Sequence, residues 1–153
     1  MNRRTACLSL LLALAGCGEG PPRSPTAEMK TEVKPPADES ALFPLTGLVN
    51  SRVVAGHLLG KSFLPGGTVA DYEKGYQLFA IREASVQKAS FALLDFKKDL
   101  TAPKYLAHMG GFFGMDREKP FYVFAKGPVI AGVIGLPYER ADIVARQFAA
   151  KIR

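Results

Sequence analysis

The apolar residues of this chain fall into several distinct rhythms. A greasy run interrupted only by Ser9 occupies residues 7–14, and a polar, proline-rich stretch follows over residues 18–41. Apolar positions return at Leu42-Phe43-Pro44-Leu45 and continue to the end. Residues 52–54, 62–64 and 68–72 predict short strands, with Pro65-Gly66-Gly67 as a turn between the last two and Lys74-Gly75 as the next. Residues 76–82 (Tyr-Gln-Leu-Phe-Ala-Ile-Arg) predict a stronger strand. The period then lengthens. Val86, Ala89, Leu93 and Phe96 recur at helical spacing, Ser85 suits the N-cap, and Lys97-Lys98 suit the C-terminal end. Pro103 cannot continue that helix.

Residues 105–109 predict a strand that runs into Gly110-Gly111-Phe112-Phe113-Gly114. Two apolar runs, 121–125 and 129–134, flank Lys126-Gly127-Pro128 and make the clearest hairpin signal in the chain. Gly132 and Gly135 imply a close approach or a bulge there. Pro137 opens a second helix, with Ala141, Val144, Ala145, Phe148 and Ile152 along one face. The expected fold is α+β: an antiparallel sheet of about five strands with two amphipathic helices packed on one face. The domain is expected over residues 42–153.

Composition refines this picture. Residues 18–41 hold five prolines, mixed charge and no aromatic residue, which predicts a disordered tether of partial polyproline character. The chain carries a net charge of +6. Its basic excess lies in residues 42–153, where the lysines are scattered and form no long run. That is the signature of a solvated surface, and nucleic acid is not expected as a partner. Residues 18–153 contain no cysteine, which excludes cysteine catalysis and cysteine-ligated metal from the domain.

The start of the chain carries the most specific signal. Arg3 and Arg4 precede the apolar run, which is far too short to span a bilayer as a helix, and Leu14-Ala15-Gly16-Cys17 follows it. This arrangement resembles the signal peptide and lipobox of bacterial lipoproteins. The resemblance implies a leader of residues 1–16 and cleavage before Cys17. Leu14, Ala15 and Gly16 are then the peptidase recognition residues, and the thiol of Cys17 carries diacylglycerol and draws further acylation such as palmitate. Gly18 in place of an aspartate implies, by the same resemblance, an outer membrane facing the periplasm in a two-membrane cell. The partner that follows is the lipid bilayer. An envelope protein or wall polymer is a second candidate. The closing segments of the domain also resemble uncharacterised domains of bacterial lipoproteins, a likeness that implies no activity.

Candidate chemistry is sparse. Residues 55–62 fit a loose phosphate-loop pattern ending in Gly60-Lys61-Ser62, but the nearby Pro65 forbids the helix whose amides such a loop needs. His57 and His108 are the only imidazoles. The pairs Asp71/Glu73 and Asp116/Glu118 have the spacing of one strand face, and so does a solvated edge. His108-Met109 with Met115 is a conceivable soft-cation set. Phe112 and Phe113 should point to opposite sides of a strand. His108, Phe112, Phe113 and Tyr122 are therefore the expected contact patch. The expected function is that of a membrane-anchored envelope lipoprotein whose domain is a non-catalytic binding or assembly module without cofactor or metal. A small hydrolase or a soft-metal carrier using His108 is the alternative.

Overall fold

The computed structural model describes residues 34–153. The expected leader, the lipobox Leu14–Cys17 and the tether up to residue 33 lie outside the described residues. Seven strands form a single antiparallel sheet: β1 (Leu48–Gly56), β2 (Pro65–Tyr72), β3 (Gln77–Arg82), β4 (Thr101–Leu106), β5 (Gly111–Asp116), β6 (Lys119–Lys126) and β7 (Val129–Ile134). Their spatial order is β1-β2-β3-β7-β6-β5-β4. The chain builds inward from one edge through β3. It crosses to the far edge through helix α1 (Val86–Asp99) and meanders back until β7 fills the place between β3 and β6. Helix α2 (Tyr138–Lys151) follows β7.

The α+β class is as expected, but the sheet has seven strands rather than five. The additional pairing comes from the β4–β5 edge. Thr101-Ala102-Pro103-Lys104 carries little strand signal, yet it forms most of β4, because Pro103 is tolerated on an edge strand. The strand expected at residues 62–64 is absent. Pro65-Gly66-Gly67, expected to turn, instead opens β2. The reversal lies upstream, where His57 and Leu59 adopt left-handed φ values of 50° and 58° around a 3-10 turn.

The helices also depart from expectation: they cover opposite faces of the sheet. Ala89, Leu93 and Phe96 of α1 pack with Val69, Phe79, Ile81, Phe121, Val123, Ile130 and Ile134. Ala141, Ala145 and Phe148 of α2 pack with Ala70, Leu78, Ala80, Tyr122, Phe124, Ala131 and Val133. The cause is the composition of the central strands. Consecutive residues of β3 and β7 are apolar and buried, so both faces need cover, as in sheets sandwiched between helix layers. Gly132 of β7 lies where a Cβ would overlap the Phe79 ring, which explains its small side chain.

Both helices begin and end where the sequence implies. The Ser85 side chain accepts the Lys88 amide at 3.2 Å, and Lys97 and Lys98 occupy the last turn of α1. Ahead of β1, Glu39 is buried although the boundary was expected at residue 42. Its amide donates to Thr68 Oγ1 at 2.9 Å, and its carboxylate takes Arg82. Phe43 packs on Phe148 at 5.3 Å between ring centroids, and the Tyr72 hydroxyl donates to the Pro44 carbonyl at 2.8 Å. The last residues of the expected tether are thus part of the fold. Among the described residues, the buried side chains of both apolar cores lie within residues 43–152, and residues 34–153 belong to one compact unit.

Candidate functional site

The expected patch of His108, Phe112, Phe113 and Tyr122 is divided by the sheet. Alternation along β5 sends Phe112 to the α1 side, where it is buried, and Phe113 to the α2 side. Phe113 packs edge-on against Tyr138 at 5.3 Å and against Tyr122 at 6.3 Å. Tyr122 is fully buried. Phe112 is buried and Phe113 is half-buried beside Tyr138, on opposite faces of the sheet, so the four residues do not lie on one surface.

His108 lies in the β4–β5 turn rather than on a strand. Its Nε2 meets Asp142 Oδ1 at 2.6 Å, and the Tyr122 hydroxyl donates to the same oxygen at 2.7 Å. Arg146 contacts Asp142 Oδ2 at 2.6 Å, one helical turn along α2. Burial pushes the Asp142 carboxyl up, but the donations from His108, Tyr122 and Arg146 outweigh it and leave the group below its ordinary value. Burial, reinforced by the Asp142 carboxylate, pushes the Tyr122 phenol strongly upward. This cluster ties the β4–β5 turn to α2. None of the three cavities described below is lined by His108. Met115 lies four residues along β5 from Gly111, about 13 Å down the strand from the turn that carries His108-Met109. Those three residues therefore do not form one ligand set. Among the described residues, no group of three or more His, Cys, Asp or Glu is placed to hold a metal ion.

The loose phosphate-loop sequence also has a structural role. Gly60 adopts φ 72°, Lys61 is extended and no α-helix follows. Lys61 is only 8% exposed, and its Nζ lies 2.9 Å from Asp116 Oδ2, within reach of Asp99 and 5.6 Å from the Phe121 ring centroid. The lysine thereby ties the β1–β2 loop to the end of α1 and to the β5–β6 hairpin. Of the carboxylate pairs, Asp71 accepts from Gln77 at 2.6 Å and from Arg52, and these interactions lower its pKa despite some burial. Glu73 and Glu118 are exposed turn residues.

Beside that hairpin is a cavity of about 620 Å³ on the α1 side of the sheet. Val54 of β1, Val69 of β2, Phe121 of β6 and Ile134 of β7 form its apolar floor, with Leu59 of the β1–β2 loop as a wall. Arg52, Gln77, Asp116, Arg117, Glu118 and Lys119 form its polar rim. Two of the five charged rim residues have partners: Arg52 is held by Asp71, and Asp116 by Lys61. Arg117 and Lys119 take part in no ion pair among the described residues, and Glu118 lies between them. Arg117 adopts φ 57°, a conformation that non-glycine residues rarely take. A second cavity, about 390 Å³ and lined by Tyr72, Tyr76 and Gly135, adjoins the first at Gln77, Lys119 and Ile134. A larger hollow of about 830 Å³ lies between Lys34–Ala37 and the β1–β2 loop; of the two cations that line it, Arg82 is bound to Glu39 and Lys34 is exposed at its edge. The recess beside the hairpin is therefore the candidate site. Sequence reading missed it because its floor comes from four strands distant in the chain. The one local clue was a pair of cations around an unusual turn.

Neither protein-family models nor curated proteins nor solved structures contain a match to this chain.

Proposed function

We propose that the chain is a membrane-anchored envelope lipoprotein, held by acylated Cys17, whose domain is a non-catalytic binding or assembly module. Its ligand site is the recess bounded by Val54, Val69, Phe121, Ile134, Arg117 and Lys119. The observation that carries this reading is a cavity of ligand size with an apolar floor and two unpaired cations on its rim. Such a site suits a small molecule with an apolar body and an anionic end. Burial of the body supplies affinity, and the cations fix orientation. The outer membrane facing the periplasm is the favoured location in a two-membrane cell. A hydrolase or metal carrier centred on His108 draws no comparable support, because Asp142 holds the imidazole and His108 lines none of the cavities described above.

Two measurements test the reading. Metabolic labelling with palmitate should mark the wild-type chain and not Cys17→Ala, which should also leave the membrane fraction. An unlabelled wild-type chain would remove the anchor from the account. Titration of residues 34–153 with dodecanoate should show binding that weakens about tenfold in Arg117→Glu/Lys119→Glu, the consequence of reversing two rim charges. Absence of binding, or equal binding by that variant, would reject the recess as the site.

A further inference from the structure

Helix α1 carries a second apolar line that does not belong to the core. Ala89, Leu93 and Phe96 turn toward the sheet. Phe91 lies two positions from both Ala89 and Leu93, which places it on the opposite side of the helix. It is 67% exposed, and Leu94, three positions on, is 47% exposed. A large aromatic ring aimed away from the core is an unusual use of a helix surface position, where polar residues ordinarily stand. The surroundings are basic. Lys88 and Lys97 have no ion-pair partner among the described residues, and Lys98 pairs only with Asp95 on the same helix. Lys97 Nζ sits 5.7 Å from the Phe112 ring centroid, and Phe112 in turn packs at a tilt, 5.6 Å between centroids, against Tyr105 of the edge strand β4. Tyr105 is 61% exposed. The outward layer of α1 and the neighbouring sheet edge thus combine two aromatic rings, a leucine and two unpaired lysines.

We infer that this face docks on the surface of an anionic bilayer, with Phe91 and Leu94 entering the headgroup boundary and Lys88 and Lys97 meeting lipid phosphates. Two features favour a bilayer over a protein. The three exposed side chains offer on the order of 300 Å², well short of the roughly 800 Å² per partner of a stable protein interface. The line is also convex and flanked by cations, as interfacial helices are, and lysines near an anionic surface add electrostatic attraction to the apolar contact. The inference uses the proposed anchor only to explain why a bilayer is near. The surface itself is tested without the anchor and without the recess.

The chain has no tryptophan, so Phe91→Trp in residues 34–153 supplies a single reporter at an exposed site. Its emission should shift to the blue with vesicles of phosphatidylcholine and phosphatidylglycerol in equal amounts, and not with phosphatidylcholine alone. Co-sedimentation of residues 34–153 with the anionic vesicles should fall about tenfold in Phe91→Ser/Leu94→Ser and should weaken as salt rises. Dodecanoate titration should be unchanged in that variant, which separates this face from the recess. An unshifted reporter, or vesicle binding that survives the double substitution, would overturn the proposal. So would capture of an envelope protein through Phe91 without any vesicle binding.

Discussion

Arg117 and Asp142 make opposite uses of charge. Arg117 stands on a tight turn with positive φ, a conformation that costs energy for any residue with a Cβ, and has no ion-pair partner among the described residues. Arg117→Gly should therefore raise stability by up to about 1 kcal/mol, read as a higher urea midpoint, while it weakens dodecanoate binding. A variant that loses stability as well would show that the arginine supports the turn rather than the ligand. Asp142 is a structural charge, holding His108, Tyr122 and Arg146 at once. Its folded carboxyl ionises more readily than the unfolded one. Its contribution is thus complete above the ordinary value of 3.8 and is lost as pH falls through 3.8 toward the lower folded value. Asp142→Asn should cost about 1–2 kcal/mol at neutral pH. The gap in thermal midpoint between wild type and variant should narrow as the solution is acidified below the ordinary carboxylate value. A gap that stays constant through that range would exclude the ionised form as the source.

Among the elements, the helices were readable in the sequence and the layering of the sheet was not. Period, cap and terminal charge all agree for α1, and its observed limits follow them. The β6–β7 hairpin was equally legible, because two apolar runs meet at Gly127, whose φ is 57°. An amphipathic helix reveals only that it has a buried side, so its sequence does not say which face of the sheet it covers. That signal lay in the strands: Leu78, Phe79, Ala80 and Ile81 are apolar in succession, and such runs need cover on both faces. Gly132 tests that arrangement. Gly132→Ala should destabilise by about 1–3 kcal/mol through overpacking against the buried Phe79, measured by urea unfolding. A neutral result would mean that β7 and Phe79 are not in register as described. The edge strand β4 was illegible for a different reason. Pairing with β5 supplies what Thr101-Ala102-Pro103-Lys104 lacks in intrinsic preference.

At the scale of the whole molecule, the domain is a helix-covered sheet with its recess at the β5–β6 hairpin and its apolar-basic line on α1. The recess could not be read from the sequence, since Val54, Val69, Phe121 and Ile134 meet only after the sheet has closed. The central claim is that this recess receives a ligand with an apolar body and an anionic end. The most direct measurement is amide and methyl chemical-shift mapping on residues 34–153 during a dodecanoate titration. Saturable shifts should concentrate at Val54, Val69, Ile134 and the Arg117–Lys119 turn, and leave Ile143 on the outer face of α2 unmoved. Shifts that cluster elsewhere, or a spectrum unchanged at saturating dodecanoate, would contradict the account.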